Sequence, residues 1–141
     1  MKSTNLFLWL VLLFASAVHA ELPESLAGAW TIHIENMQHE VITTLTFHFT
    51  DGDARSCQGG SWKKIVVDSH TTKDGKFFPV DDPLSYMFEK NKLFIGRNEI
   101  CDAYLELRGD LVKSKAIGEY VAFGWGDKQL GYFSLKRGGK E

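Results

Sequence analysis

Apolar and polar residues alternate one by one through most of this chain, in short runs separated by turn-forming pairs. In residues 41–49, Val41, Thr43, Leu45, Phe47 and Phe49 share one side, and Ile42, Thr44, Thr46 and His48 share the other. A period of two marks a strand whose two faces meet different surroundings, because successive side chains leave the backbone in opposite directions. The pattern recurs in 28–35, where Trp30, Ile32 and Ile34 oppose Thr31, His33 and Glu35. It recurs in 84–90, with Leu84, Tyr86 and Phe88 against Ser85, Met87 and Glu89, and in 103–108, with Leu105 and Leu107 against Tyr104, Glu106 and Arg108. The runs 62–68, 93–95, 116–125 and 129–137 complete the set. Asp51-Gly52, Asp74-Gly75, Lys90-Asn91, Gly109-Asp110 and Gly126-Asp127 stand where the chain must reverse, and such residues favour tight turns.

The expected fold class is therefore all-β, with about eight strands in sequential antiparallel order. A meander of that size can close on itself into a single up-and-down barrel and so remove its exposed edges. A sandwich of the same strands needs a long crossover, and only the 69–83 stretch, with Phe77, Phe78, Pro79 and Pro83, has the length for one. A short helix is expected in that stretch or in 21–26.

Residues 1–20 read differently. Met1 and Lys2 precede an apolar run over 6–14 and a small-residue exit, Val18-His19-Ala20. This is the order of a secretory signal peptide, and the run is shorter than the about 20 residues that span a bilayer. Residues 21–141 then form one exported domain, periplasmic or extracellular, with length enough for a real core. The two cysteines, Cys57 and Cys101, are expected to form one disulfide in an oxidising compartment. It would close a loop of roughly 44 residues and contribute about 4 kcal/mol in the chain-entropy model. The formal net charge is −2 with no basic stripe, which argues against nucleic acid as a partner. No later segment approaches a membrane span.

The two ends of the domain carry a family resemblance. Leu26-Ala27-Gly28-Ala29-Trp30 opens the first strand as Gly-x-Trp, and Gly131-Tyr132-Phe133-Ser134-Leu135-Lys136-Arg137 closes the last. This resembles the lipocalin and avidin-like (calycin) barrels. The resemblance implies that Trp30 closes one end of the barrel and that Arg137 packs across it. A guanidinium can stack on an indole and also bond strand-end carbonyls. The Thr-Asp-Tyr motif that many lipocalins carry before the last strands is missing, as is a long helix after the barrel.

Chemistry is sparse. Of the five histidines, His19 falls in the signal peptide, His33 and His48 on polar strand faces, His39 in a turn beside Glu40, and His70 in the long loop. None forms a ligand pair at i,i+2 on a strand or i,i+4 on a helix; His33 and His48 would meet only in one particular strand register. Gly59-Gly60-Ser61-Trp62 is not a nucleophile elbow. Asp51, Asp53, Asp81 and Asp82 lack calcium-loop spacing. No catalytic residue, metal or cofactor is expected.

Two functions remain, differing in kind. The first is a carrier of a small, largely apolar ligand in the lumen, with Phe47, Tyr86, Phe88, Glu119, Val121 and Phe123 as lining residues. In this reading Ile117, Glu119, Val121, Phe123 and Trp125 face inward and Glu119 is a lumenal carboxylate. Alternatively Glu119 sits at the mouth beside Arg97 or Arg108, or the Gly118 and Tyr120 face is the inner one. The second is a factor of inhibitor or immunity type that binds an exported protein through the 69–83 loop, with Phe77 and Phe78 as contacts. The alternative is that both phenylalanines fold back to cap the barrel.

Overall fold

The computed structural model describes residues 22–101, 104–124 and 126–138. The proposed signal peptide lies outside them. Eight strands follow a single 3-10 turn, Glu24–Leu26: β1 (Ala29–Asn36), β2 (Val41–Asp53), β3 (Lys63–Thr72), β4 (Leu84–Glu89), β5 (Lys92–Arg97), β6 (Tyr104–Val112), β7 (Lys115–Phe123) and β8 (Lys128–Arg137). Each pairs antiparallel with the next and β8 returns to β1, so the sheet is a closed up-and-down barrel. Among the described residues no helix is long and apolar enough to cross a membrane.

The alternation read from β1 and β2 is the alternation of burial. Trp30, Ile32, Ile34, Leu45, Phe47 and Phe49 point inward and are shielded from solvent. Rings interlock edge to face through this core: Trp30 on Phe49, Phe49 on Phe47, and Phe49 on Tyr86, the arrangement that aromatic quadrupoles favour.

Turn positions differ from expectation at two places. Asp51-Gly52 lies within β2, where Thr50 Oγ1 accepts the Gly52 amide and donates to the Lys64 carbonyl, holding an irregular stretch of the ladder. Gly109-Asp110 lies within β6, because Leu111 continues the inward row into the core; the reversal comes after Val112, with Lys113 at φ 59°. Lys90 and Asn91 do reverse the chain, with φ of 49° and 70°. Residues 69–72, expected in the long loop, extend β3.

Two seams of the barrel close differently. β1 and β8 pair continuously from Trp30–Arg137 to Asn36–Gly131. β3 and β4 share only Lys63–Tyr86 and Lys64–Ser85. Segment 73–83 contributes to the core beside that short seam: Phe78 and Val80 are buried, and Phe77 and Phe78 both pack edge to face on Tyr120. The Tyr120 hydroxyl donates to the Phe77 carbonyl at 2.6 Å. Phe77 and Phe78 are thus not outward contacts. Burying a phenylalanine gains about 1.5–3 kcal/mol, and the loop folds back to take that gain.

Cys57 and Cys101 are bonded, with Cα atoms 5.4 Å apart, consistent with an exported protein. The bridge ties segment 54–62 to the turn after β5. The Arg55 amide donates to Asn98 Oδ1 and the Glu99 amide to the Arg55 carbonyl. Trp62 lies buried under this flap against Gly96, its Nε1 donating to the Gly59 carbonyl.

Candidate functional site

One end of the barrel is sealed by its own chain. Trp30 Nε1 donates to the Leu26 carbonyl at 2.9 Å, and Leu26 is fully buried. The Arg137 guanidinium lies 5.0 Å from the centre of the Trp30 ring and donates to the carbonyls of Glu24 and Ser25. Trp30 and Arg137 face each other directly in register.

The six residues proposed to line a lumen do not converge. Phe47 and Tyr86 are inside; the Tyr86 hydroxyl donates to the Thr50 carbonyl, and burial, with Asp51 nearby, pushes its pKa up to about 12. Phe88 lies at a surface cleft of about 210 Å³ with Leu22, Leu26 and Tyr86. Glu119 is exposed and Phe123 half-buried beneath Arg108, Val121 is buried at 3% exposure opposite Glu106 but outside the core cluster, and Trp125 lies outside the described residues. The strand alternates the other way: Ala116, Gly118 and Tyr120 point inward, with Tyr120 fully buried, while Ile117 is 76% exposed. Both sets of β7 residues contain apolar members. The Phe133 ring resolves the tie by lying across Gly118 and Gly109, where a Cβ would collide with it.

Glu106, Arg108 and Asp127 form a charge cluster on the outer wall. Glu106 is only 4% exposed. Arg108 donates through Nε to Glu106 and through Nη1 to Asp127 at 2.7 Å. Its guanidinium lies 4.9 Å over Phe123, which stacks on Tyr104. Burial pushes the Glu106 carboxyl up, against the pull of Arg108. Burial also disfavours the charge on Arg108, but its bonds to the two carboxylates outweigh that and hold it protonated.

Arg108 stands directly opposite Glu119 in the β6–β7 register, yet it serves Glu106 and Asp127. Glu119 is left exposed, without a hydrogen bond or ion pair among the described residues. Two hollows flank this part of β7, and both are lined by Ile117, Gly118 and Glu119. One, of about 450 Å³, reaches across β8 to Glu35 of β1 and to His39 in the turn beyond. The other, of about 280 Å³, reaches across β6 to Lys92 and Phe94 of β5. In the larger hollow Tyr132 is paired in register with Glu119 on one side and Glu35 on the other. The His39 ring stacks on Tyr132 at 4.4 Å and meets the Glu35 carboxylate at 3.1 Å.

Two of the other histidines are engaged singly. His33 pairs with Thr44 and His48 with Asp68. The register sets His33 opposite Thr44 and His48 opposite Ala29, about 14 Å apart along the strands at about 3.4 Å per residue. Among the described residues no group of three or more His, Cys, Asp or Glu side chains is placed to hold a metal.

This is an eight-stranded antiparallel barrel with one disulfide, its described core filled by its own rings and its chemical detail on the outside. No family model, curated protein or solved structure matches the chain.

Proposed function

We propose that the protein is an exported binding module that grips another protein through the outer wall of its barrel around Ile117. The observation that carries this reading is a large aliphatic side chain, 76% exposed, standing between two hollows of the barrel wall. An exposed apolar residue in a concave, partly apolar setting is the kind of anchor on which protein interfaces concentrate their energy. A rigid, disulfide-tied barrel suits such a role, because it presents the surface without paying for its ordering at each encounter. Kinship with the lipocalin and avidin-like barrels remains part of this proposal, supported by the stacking of Arg137 on Trp30.

Site-specific photocrosslinking in the native host tests it. A benzoylphenylalanine at position 115, exposed beside Ile117 on the same face of β7, is expected to yield a discrete adduct with one partner, and the same probe at Val66, exposed on β3, is expected to yield none. Equal labelling from both positions would remove the reading.

The carrier function has one observation in its favour, the cleft bounded by Leu22, Leu26, Tyr86 and Phe88. Native mass spectrometry of protein taken from its host would reveal a stoichiometric small molecule there, lost on Phe88→Asp.

A further inference from the structure

We propose that the larger hollow, between β7, β8 and β1, receives an arginine side chain of the partner protein. The inference rests on the wall reading above and names the chemistry of the docking residue.

Two carboxylates face the hollow, Glu35 and Glu119, one on each side of Tyr132. Alternate strands in register lie about 10 Å apart, so two glutamate side chains can reach one cation between them. His39 is bonded to Glu35 and stacked on Tyr132, which leaves Glu119 as the acid without a partner. The hollow holds no lysine or arginine. An anion would meet two like charges there. A neutral apolar group would leave both carboxylates partly desolvated and uncompensated.

The remaining walls favour a long side chain with a flat, charged end. Ile117 and the bare backbone of Gly118 give a surface for a methylene stem. The Tyr132 ring and the stacked imidazole give an aromatic edge beside the carboxylates. A guanidinium has five donors in a fixed plane and stacks on aromatic groups, so it can serve two acids at once. An ammonium is a more strongly hydrated point charge and exploits this shape less well. The adjoining hollow supplies contrast: Lys92 is paired with Asp110, and Arg108 with Glu106 and Asp127, so its cations are already answered from within the fold.

The test has two arms. In the first, N-acetyl-arginine methylamide is titrated into the 15N-labelled protein. Amide shifts are expected at Gly118, Glu119, Tyr132 and Ser134. The citrulline analogue, equal in shape but uncharged, is expected to bind at least tenfold more weakly. Glu119→Gln and Glu35→Gln should each weaken the arginine analogue several-fold without altering the fold, since both positions are on the wall. Shifts spread equally over Asp51, Asp53, Asp74 and Asp81, equal binding by citrulline, or tighter binding by a lysine analogue would each overturn the arginine site. In the second arm, the crosslink from position 115 is repeated in the Glu35→Gln/Glu119→Gln protein, where at least a tenfold loss of yield is expected. An undiminished crosslink overturns the arginine anchor and leaves the wall reading standing. No crosslink even with both glutamates present removes the wall reading, and the titration alone then decides whether the hollow takes guanidinium.

Discussion

The two faces of β7 are drawn from alternate residues of one nine-residue strand, and they do opposite things. Inward, Ala116, Gly118 and Tyr120 are held by contacts that leave no latitude: Phe133 lies over Gly118, and Phe77 and Phe78 close on Tyr120. Outward, Ile117 and Glu119 touch little and keep their surface open to solvent. The inner face carries stability and the outer face carries recognition. A strand can divide these tasks because its side chains share a backbone without sharing neighbours.

The largest expected break in this contrast is Tyr120→Ala. It removes a fully buried ring and should cost about 3–5 kcal/mol, read as a lower midpoint in urea unfolding. Tyr120→Phe isolates the hydroxyl and its bond to the Phe77 carbonyl, and should cost about 1 kcal/mol by the same measurement. Gly118→Ala is more informative than its size suggests, because Gly118 belongs to both faces. The new methyl would fall on the Arg108 carbonyl and the Phe133 ring, so a loss of about 1–3 kcal/mol is expected, together with altered amide shifts around the larger hollow.

Glu106 sharpens the comparison through pH. Its carboxyl is raised in the folded state by burial, so the folded protein holds that proton more readily than the unfolded chain does. The stability linked to this proton is fully present below the unfolded value and is lost as pH rises through the raised folded value. Measured against Glu106→Gln, the unmodified protein should therefore be relatively most stable in acid and lose that advantage toward neutral pH, seen as a narrowing difference in Tm. Ile117→Ser should show the smallest effect on folding, within about 0.5 kcal/mol, while abolishing the partner adduct formed from the probe at position 115. A variant that unfolds at 117, or one that folds normally with Ala at 120, would reverse the assignment of the two faces.

Much of the architecture could be read before folding was considered. The strands, the closed meander and the Cys57–Cys101 bridge follow from local alternation, turn residues and the count of thiols. Local rules failed where a strand ran on past a turn signal. Asp51-Gly52 and Gly109-Asp110 have turn chemistry, yet the inward row of β6 continues to Leu111 because the core has room for it. The site was less legible. Of the residues expected to line a lumen, Glu119 is exposed and Phe123 lies under Arg108 on the outer wall, while Val121 is buried opposite Glu106. Tyr132, Glu35 and His39 gave one local sign, the spacing of Glu35 and His39 across a turn, but nothing that joined them to Glu119.

The period of two and the turn pairs belong to neighbouring residues, so the chain alone determined that it would form alternating strands in sequential order. Which face of β7 turned inward was decided by Phe133 on β8 and by Phe77 and Phe78 from a segment more than thirty residues earlier. Both faces of that strand are apolar enough to be buried, so periodicity cannot choose between them. Only packing against partners distant in the chain, within a close-packed interior that admits one arrangement of rings, breaks the symmetry and leaves Ile117 and Glu119 in the solvent.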